Sequence, residues 1–170
     1  MREVEGDFTA ETKVAGPGRW CGGLLAWKDE HNFIRLDRGV RFRNELALTA
    51  AIDGEFTSIA REYVDADPLW LRLERSGSVY RAYYSVDGKQ WLPLKRTHTG
   101  SKKEPPRALE DAVSLLKEVD FGFREASNSI EMRAPDPLLV GISGMVPAIP
   151  LPYGISQSVT DYDYFAVMGK

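Results

Sequence analysis

A chain of 170 residues has the size of one domain, long enough to bury roughly two-thirds of its unfolded surface without staples. Its net charge of −3 excludes a general polyanion binder, whose phosphate contacts need clustered Lys and Arg, and its single cysteine, Cys21, excludes an internal disulfide. No apolar run reaches the ~18 residues that cross a bilayer, and no apolar signal-like run follows Met1. A strand-like pattern begins within a few residues of Met1, as expected of a domain excised from a longer chain. The compartment is left open.

Most of the chain reads at period two. Over 8–14, Phe8, Ala10 and Val14 face one way and Glu11 and Lys13 the other, and Gly16-Pro17-Gly18 ends the run. Residues 20–28 form a second, strongly apolar strand, as in strands buried on both faces. After a polar turn at 29–32 comes a third strand at 33–37. Residues 46–52 and 56–63 read as a hairpin around Asp53-Gly54, a dipeptide that accepts the positive φ of tight turns. A loop at 65–68 leads to a strand at 70–75, a turn at 76–78 and a strand at 79–86. Asp87-Gly88 then turns the chain into 90–94.

One segment reads differently. Pro105-Pro106 precede 107–117, where Leu109, Ala112, Val113 and Leu116 follow helical spacing. This predicts one short amphipathic helix in an insertion at about 101–137, capping the sandwich or covering an open sheet edge. Strand signals return at 119–124, 130–133, 138–145 and 162–168, with a proline-rich loop over 146–154. The expected fold is all-β: a single domain over 1–170, built as a two-sheet antiparallel sandwich with one inserted helix. The core should hold Leu24, Ile34, Leu71, Leu73, Trp91 and Ile142.

Several runs occur in one order: Gly22-Gly23-Leu24-Leu25-Ala26-Trp27-Lys28-Asp29, Asn32-Phe33-Ile34-Arg35-Leu36, Trp70-Leu71-Arg72-Leu73-Glu74-Arg75-Ser76-Gly77, Tyr83-Tyr84-Ser85-Val86-Asp87-Gly88-Lys89-Gln90-Trp91, Val140-Gly141-Ile142 and Asp163-Tyr164-Phe165. Together they resemble the concanavalin A-like jelly-roll domains of the "regulation of enolase" family. They are also similar to the C-terminal β-sandwich of family-43 glycoside hydrolases. The resemblance implies two antiparallel sheets and, in hydrolase-linked members, a role beside carbohydrate chemistry. The chain departs from the pattern in the length of 101–137 and in Cys21, which stands where relatives more often carry a polar residue.

Catalytic motifs are missing. Glucanases of this superfamily set Glu-x-Asp-x-x-Glu along one strand to aim two carboxylates at a glycosidic bond. Glu118 and Asp120 begin that spacing, but Phe123 stands where the second Glu is needed. Gly141-Ile142-Ser143-Gly144-Met145 lacks the last glycine of a nucleophile elbow, so Ser143 reads as structural. His31 and His98 lie in separate predicted loops and Cys21 has no partner cysteine, too few ligands for zinc. A structural calcium needs only carboxylates and carbonyls; Asp161 and Asp163 could contribute, or could serve as turn and strand-edge residues. The basic run over 96–103, broken by Thr and Gly, reads as a solvated loop.

The sharper signal is a strand face. If Leu71 and Leu73 enter the core, Trp70, Arg72 and Glu74 point outward. Tyr83 and Arg35 occupy outward positions on neighbouring runs. An aromatic platform beside Arg and Glu suits sugars, which offer apolar ring faces and many hydroxyls. The same residues equally describe a salt-bridged outer face with Trp70 packed under a loop. The candidate ligand residues are therefore Arg35, Trp70, Arg72, Glu74 and Tyr83, with no catalytic or metal residue named. The expected function is a non-catalytic carbohydrate-binding or hydrolase-accessory module. Its partners would be an oligosaccharide and a fused or neighbouring hydrolase domain, with neither nucleic acid nor membrane. The alternatives are a protein-interaction or structural domain of a larger protein, and an enzyme with an unfamiliar site.

Overall fold

The computed structural model describes residues 1–15, 21–39, 44–95, 128–145 and 161–169. Within them all regular structure is strand. The predicted helix at 107–117 and the strand at 119–124 lie outside the described residues.

Among the described residues twelve strands form two sheets. Sheet A holds β1 (Arg2–Val4), β3 (Cys21–Asp29), β4 (Asn32–Arg38), β5 (Glu45–Ile52), β6 (Glu55–Tyr63) and β11 (Leu138–Met145), in the order β1-β11-β3-β4-β5-β6. Sheet B holds β2 (Phe8–Ala15), β7 (Leu69–Ser76), β8 (Val79–Ser85), β10 (Ser129–Glu131) and β12 (Asp161–Gly169), in the order β10-β8-β7-β2-β12. The short β9 (Leu92–Pro93) pairs with β8. Every pairing is antiparallel. The sandwich expected from the alternating runs is present, and nearly every predicted strand among the described residues falls within two residues of an observed one.

Turn chemistry fixes the register. At the β5–β6 hairpin Asp53 and Gly54 both take positive φ, 52° and 83°, the pair of left-handed residues that a tight hairpin turn requires. Asp87 accepts N–H bonds from Lys89 and Gln90 at 2.8 and 2.9 Å, and these, with the Ser85 hydroxyl, hold its carboxyl below the usual carboxylate range.

The core lies between the sheets. Phe8, Leu24, Ile34, Leu36, Leu46, Leu48, Leu71, Leu73 and Tyr80 are fully buried. The predicted core residues Leu24, Ile34, Leu71 and Leu73 are among them; two others are not. Trp91 is only half-buried, because the chain turns at 85–90 before β9 and leaves its ring outside sheet B. Ile142 pairs with Leu24 but is 41% exposed. Arg38 ties the sheets together: its guanidinium donates to the Val14 and Ala66 carbonyls at 3.3 and 2.9 Å and pairs with Asp67 at 3.0 Å.

Candidate functional site

On β7 the alternation puts Leu71 and Leu73 into the core and leaves Trp70, Arg72 and Glu74 on the outer face of sheet B. Directly opposed residues of antiparallel neighbours share a face. Trp70 therefore stands in a row with Lys13 and Ser85, Arg72 with Glu11 and Tyr83, and Glu74 with Thr9 and Arg81. Four of the five candidate residues, Trp70, Arg72, Glu74 and Tyr83, thus form one strip.

The strip is tightly paired. Arg72 binds Glu11 at 2.5 Å, approaches Glu74 at 3.7 Å and lies 3.8 Å over the ring of Trp91. Lys13 sits 5.1 Å over the Trp70 ring and pairs with Asp163. One edge of Trp70 packs under the turn at Gly88, where an added Cβ would come within 3.0 Å of the indole nitrogen. Burial pushes the Tyr164 phenol up, and the Glu11 carboxylate adds to this. The predicted set lacked Glu11, Lys13, Trp91 and Asp163. The alternation of β2 marks Glu11 and Lys13 as outward, but nothing local says that β2 pairs with β7.

Arg35 does not join the strip. It lies on β4, which pairs with β3 and β5 in sheet A, so the sandwich separates it from Trp70. Alternation correctly points Arg35 away from Ile34 and Leu36; it carries no information on which sheet the strand joins. Arg35 lines a groove of about 330 Å³ with Leu25, Trp27, Phe33, Ile142, Ser143 and Gly144. Trp27 and Phe33, opposed across β3 and β4, stack at 5.4 Å and 16°. Asp37 pairs with Arg35 at 3.0 Å and accepts the Ser143 hydroxyl at 2.7 Å. Burial raises the Asp37 carboxyl above the ordinary aspartate value, against the opposing pull of Arg35 and Ser143.

Among the described residues no three His, Cys, Asp or Glu side chains converge as a metal site. The carboxylate of Asp163, considered above for calcium, is engaged by Lys13. No described helix is long and apolar enough to cross a membrane.

Residues 2–110 match the family described as the β-xylosidase C-terminal concanavalin A-like domain. The chain belongs to that family. Its fold recurs in a family-43 glycoside hydrolase, BlXynB, from Bacillus licheniformis, with a TM-score of 0.61 at 18% identity over 98% of this chain and 28% of that one. It recurs in a xylan β-1,4-xylosidase from Bacillus halodurans C-125, with a TM-score of 0.60 at 14% identity over 97% and 28%. A functionally unknown protein from Saccharomyces cerevisiae matches with a TM-score of 0.60 at 13% identity, over 99% of this chain and 72% of that one. The chain spans about 28% of the length of the two bacterial proteins. No curated protein matches it comparably. β-Xylosidase C-terminal domains are non-catalytic β-sandwich modules that accompany a catalytic domain.

Proposed function

We propose that this domain binds carbohydrate on behalf of a glycoside hydrolase, fused or neighbouring, and performs no bond cleavage itself. The observation that carries this reading is the match of residues 2–110 to the β-xylosidase C-terminal family. Kinship with "regulation of enolase" domains belongs to the same proposal, as a statement of fold and not of ligand. The proposed contact is the sheet B strip bearing Trp70, Arg72, Glu74 and Tyr83. Its support is chemical: half-buried aromatic rings stand beside a guanidinium already oriented by Glu11 and Trp91. Hydrogen-bonding groups held in fixed directions discriminate between sugars by their hydroxyls. The strip is open, so affinity should be weak, on the order of 0.1–1 mM or roughly 4–5.5 kcal/mol.

The test is a titration of the wild type, Trp70→Ala and Tyr83→Ala with xylan- and glucan-derived oligosaccharides, followed by tryptophan fluorescence. The expected result is millimolar or tighter binding that both substitutions weaken. Tyr83→Ala keeps the test informative if removing Trp70 from under the Gly88 turn lowers the melting temperature. A wild type that binds none of these sugars at millimolar concentration overturns the reading in favour of a protein-interaction module.

A further inference from the structure

The groove on sheet A lies on the water side of β3, β4 and β11, yet apolar side chains line it. Leu25, Trp27 and Phe33 are half-buried, and Leu139, beside Trp27 in the register, is 40% exposed. Contiguous exposed apolar surface rimmed by polar groups is a mark of interaction sites. Polar groups stand within it. Arg35 and Ser143 line the groove, and both bind Asp37, which is 1% exposed.

We propose that this groove is a second ligand site, binding one neutral saccharide ring between Trp27, Phe33 and Leu25 on its apolar side and Arg35 and Ser143 on its hydroxyl side. The proposal rests on the reading of the domain as a carbohydrate-associated module.

The ligand class follows by elimination. Arg35 and Asp37 neutralise each other, so an anion would be placed beside a buried carboxylate and a cation beside a guanidinium. Either charge would lose water without a net counter-charge. A wholly apolar ligand would cover Arg35 and Ser143 without returning hydrogen bonds to them, which is costly. A sugar ring meets both demands, with C–H surface for the apolar wall and hydroxyls that donate and accept. Arginine offers five N–H donors in a fixed fork, and a serine hydroxyl both donates and accepts. Size sets the length of the ligand. A volume of about 330 Å³ is near the lower end for small-molecule sites. Toward β5 the face is closed, since Asp37, Ala47 and Thr49 are at most 6% exposed.

The experiment follows the indole N–H signals of Trp27, Trp70 and Trp91 by NMR during titration with xylose, xylobiose and glucuronate. Trp27 reports the groove, and Trp70 and Trp91 report the sheet B strip. The Trp27 signal should shift in a saturable way with xylose and xylobiose. Glucuronate should move it less. Leu139→Arg, 40% exposed and directly opposed to Trp27, should crowd the groove's apolar wall and weaken the Trp27 response about tenfold or more, leaving the Trp70 and Trp91 responses unchanged. Phe33→Ala should weaken it by a second route. If Trp70 and Trp91 shift while Trp27 stays still, the groove is not a sugar site and the proposed function stands. If Trp27 responds equally in wild type and both variants, the groove proposal is overturned. If no indole responds, both proposals fall.

Discussion

The outer face of sheet A keeps its ion pairs away from water, whereas that of sheet B leaves them half open. In sheet A, Arg61 and Glu45 meet at 2.8 Å with side chains 10% and 1% exposed, and Arg35 and Asp37 at 3.0 Å with 12% and 2%. In sheet B, Glu74 and Asp163 keep 27% and 49% of their side-chain surface beside Arg72 and Lys13. The residue types match; their surroundings do not. A buried charge depends on its partner, because removing one member leaves the other desolvated and uncompensated. A half-exposed pair loses little, because water and neighbouring groups replace the missing partner. Sheet A's buried ion pairs should therefore be intolerant of substitution, and sheet B's half-open pairs tolerant.

The largest effect should come from Glu45→Ala. It removes a 1% exposed carboxylate that pairs with the buried Arg61 guanidinium at 2.8 Å, a group that also donates to the Ser58 hydroxyl at 2.9 Å. The expected loss is about 3–5 kcal/mol in urea unfolding. A loss under ~1 kcal/mol, the range of an exposed pair, would mean that this face is wet and that the contrast between the sheets is false.

Asp37 sharpens the comparison through pH. Its folded pKa lies above the ordinary value of 3.8, mainly from burial. Between 3.8 and that higher value the folded chain holds a proton that the unfolded chain has released. Stability from this site is therefore greatest at low pH and falls as pH rises through the window. Relative to Asp37→Asn, which cannot titrate, the wild type should lose stability from about pH 4 upward before levelling off. Paired urea titrations across pH give the difference directly. A difference independent of pH would show that Arg35 and Ser143 fully offset the burial.

The strand faces were legible in the sequence and the strand partners were not. Period two set Leu71 and Leu73 against Trp70, Arg72 and Glu74, and Asp53-Gly54 marked the β5–β6 hairpin, since both features are local. Alternation groups Arg35 with Trp70 because both are outward residues, yet outward from sheet A and outward from sheet B are opposite directions. Which sheet a strand joins is decided by pairings between residues far apart in the chain, such as Thr12 with Leu71 and Thr12 with Phe165. Trp91 fell outside the core for a related reason. Its apolar area suggested burial, but the β8–β9 turn sets it under Arg72, where a cation covers the ring as core side chains would have done. Strand β1 lacked any alternating run long enough to be noticed and depends on its pairing with β11.

The smallest effect, and the most direct check on sheet B, is Glu74→Ala. Glu74 stands 3.7 Å from Arg72, which keeps Glu11 at 2.5 Å and the face of Trp91 after the substitution. Removing Glu74 therefore strands no charge. The cost should be under ~1 kcal/mol, with an unchanged dependence on urea, since no large surface is newly exposed on unfolding. Should Glu74→Ala instead approach the cost of Glu45→Ala, the strip would be a coupled network in which Glu74 orients Arg72 onto Trp91. Adding Glu11→Ala separates the two cases. Independent pairs give additive losses, and a network gives a double variant whose loss differs from the sum by 0.5 kcal/mol or more. Additivity would leave Arg72 free to exchange protein oxygens for sugar hydroxyls at little energetic cost, the property a weak, open carbohydrate contact requires.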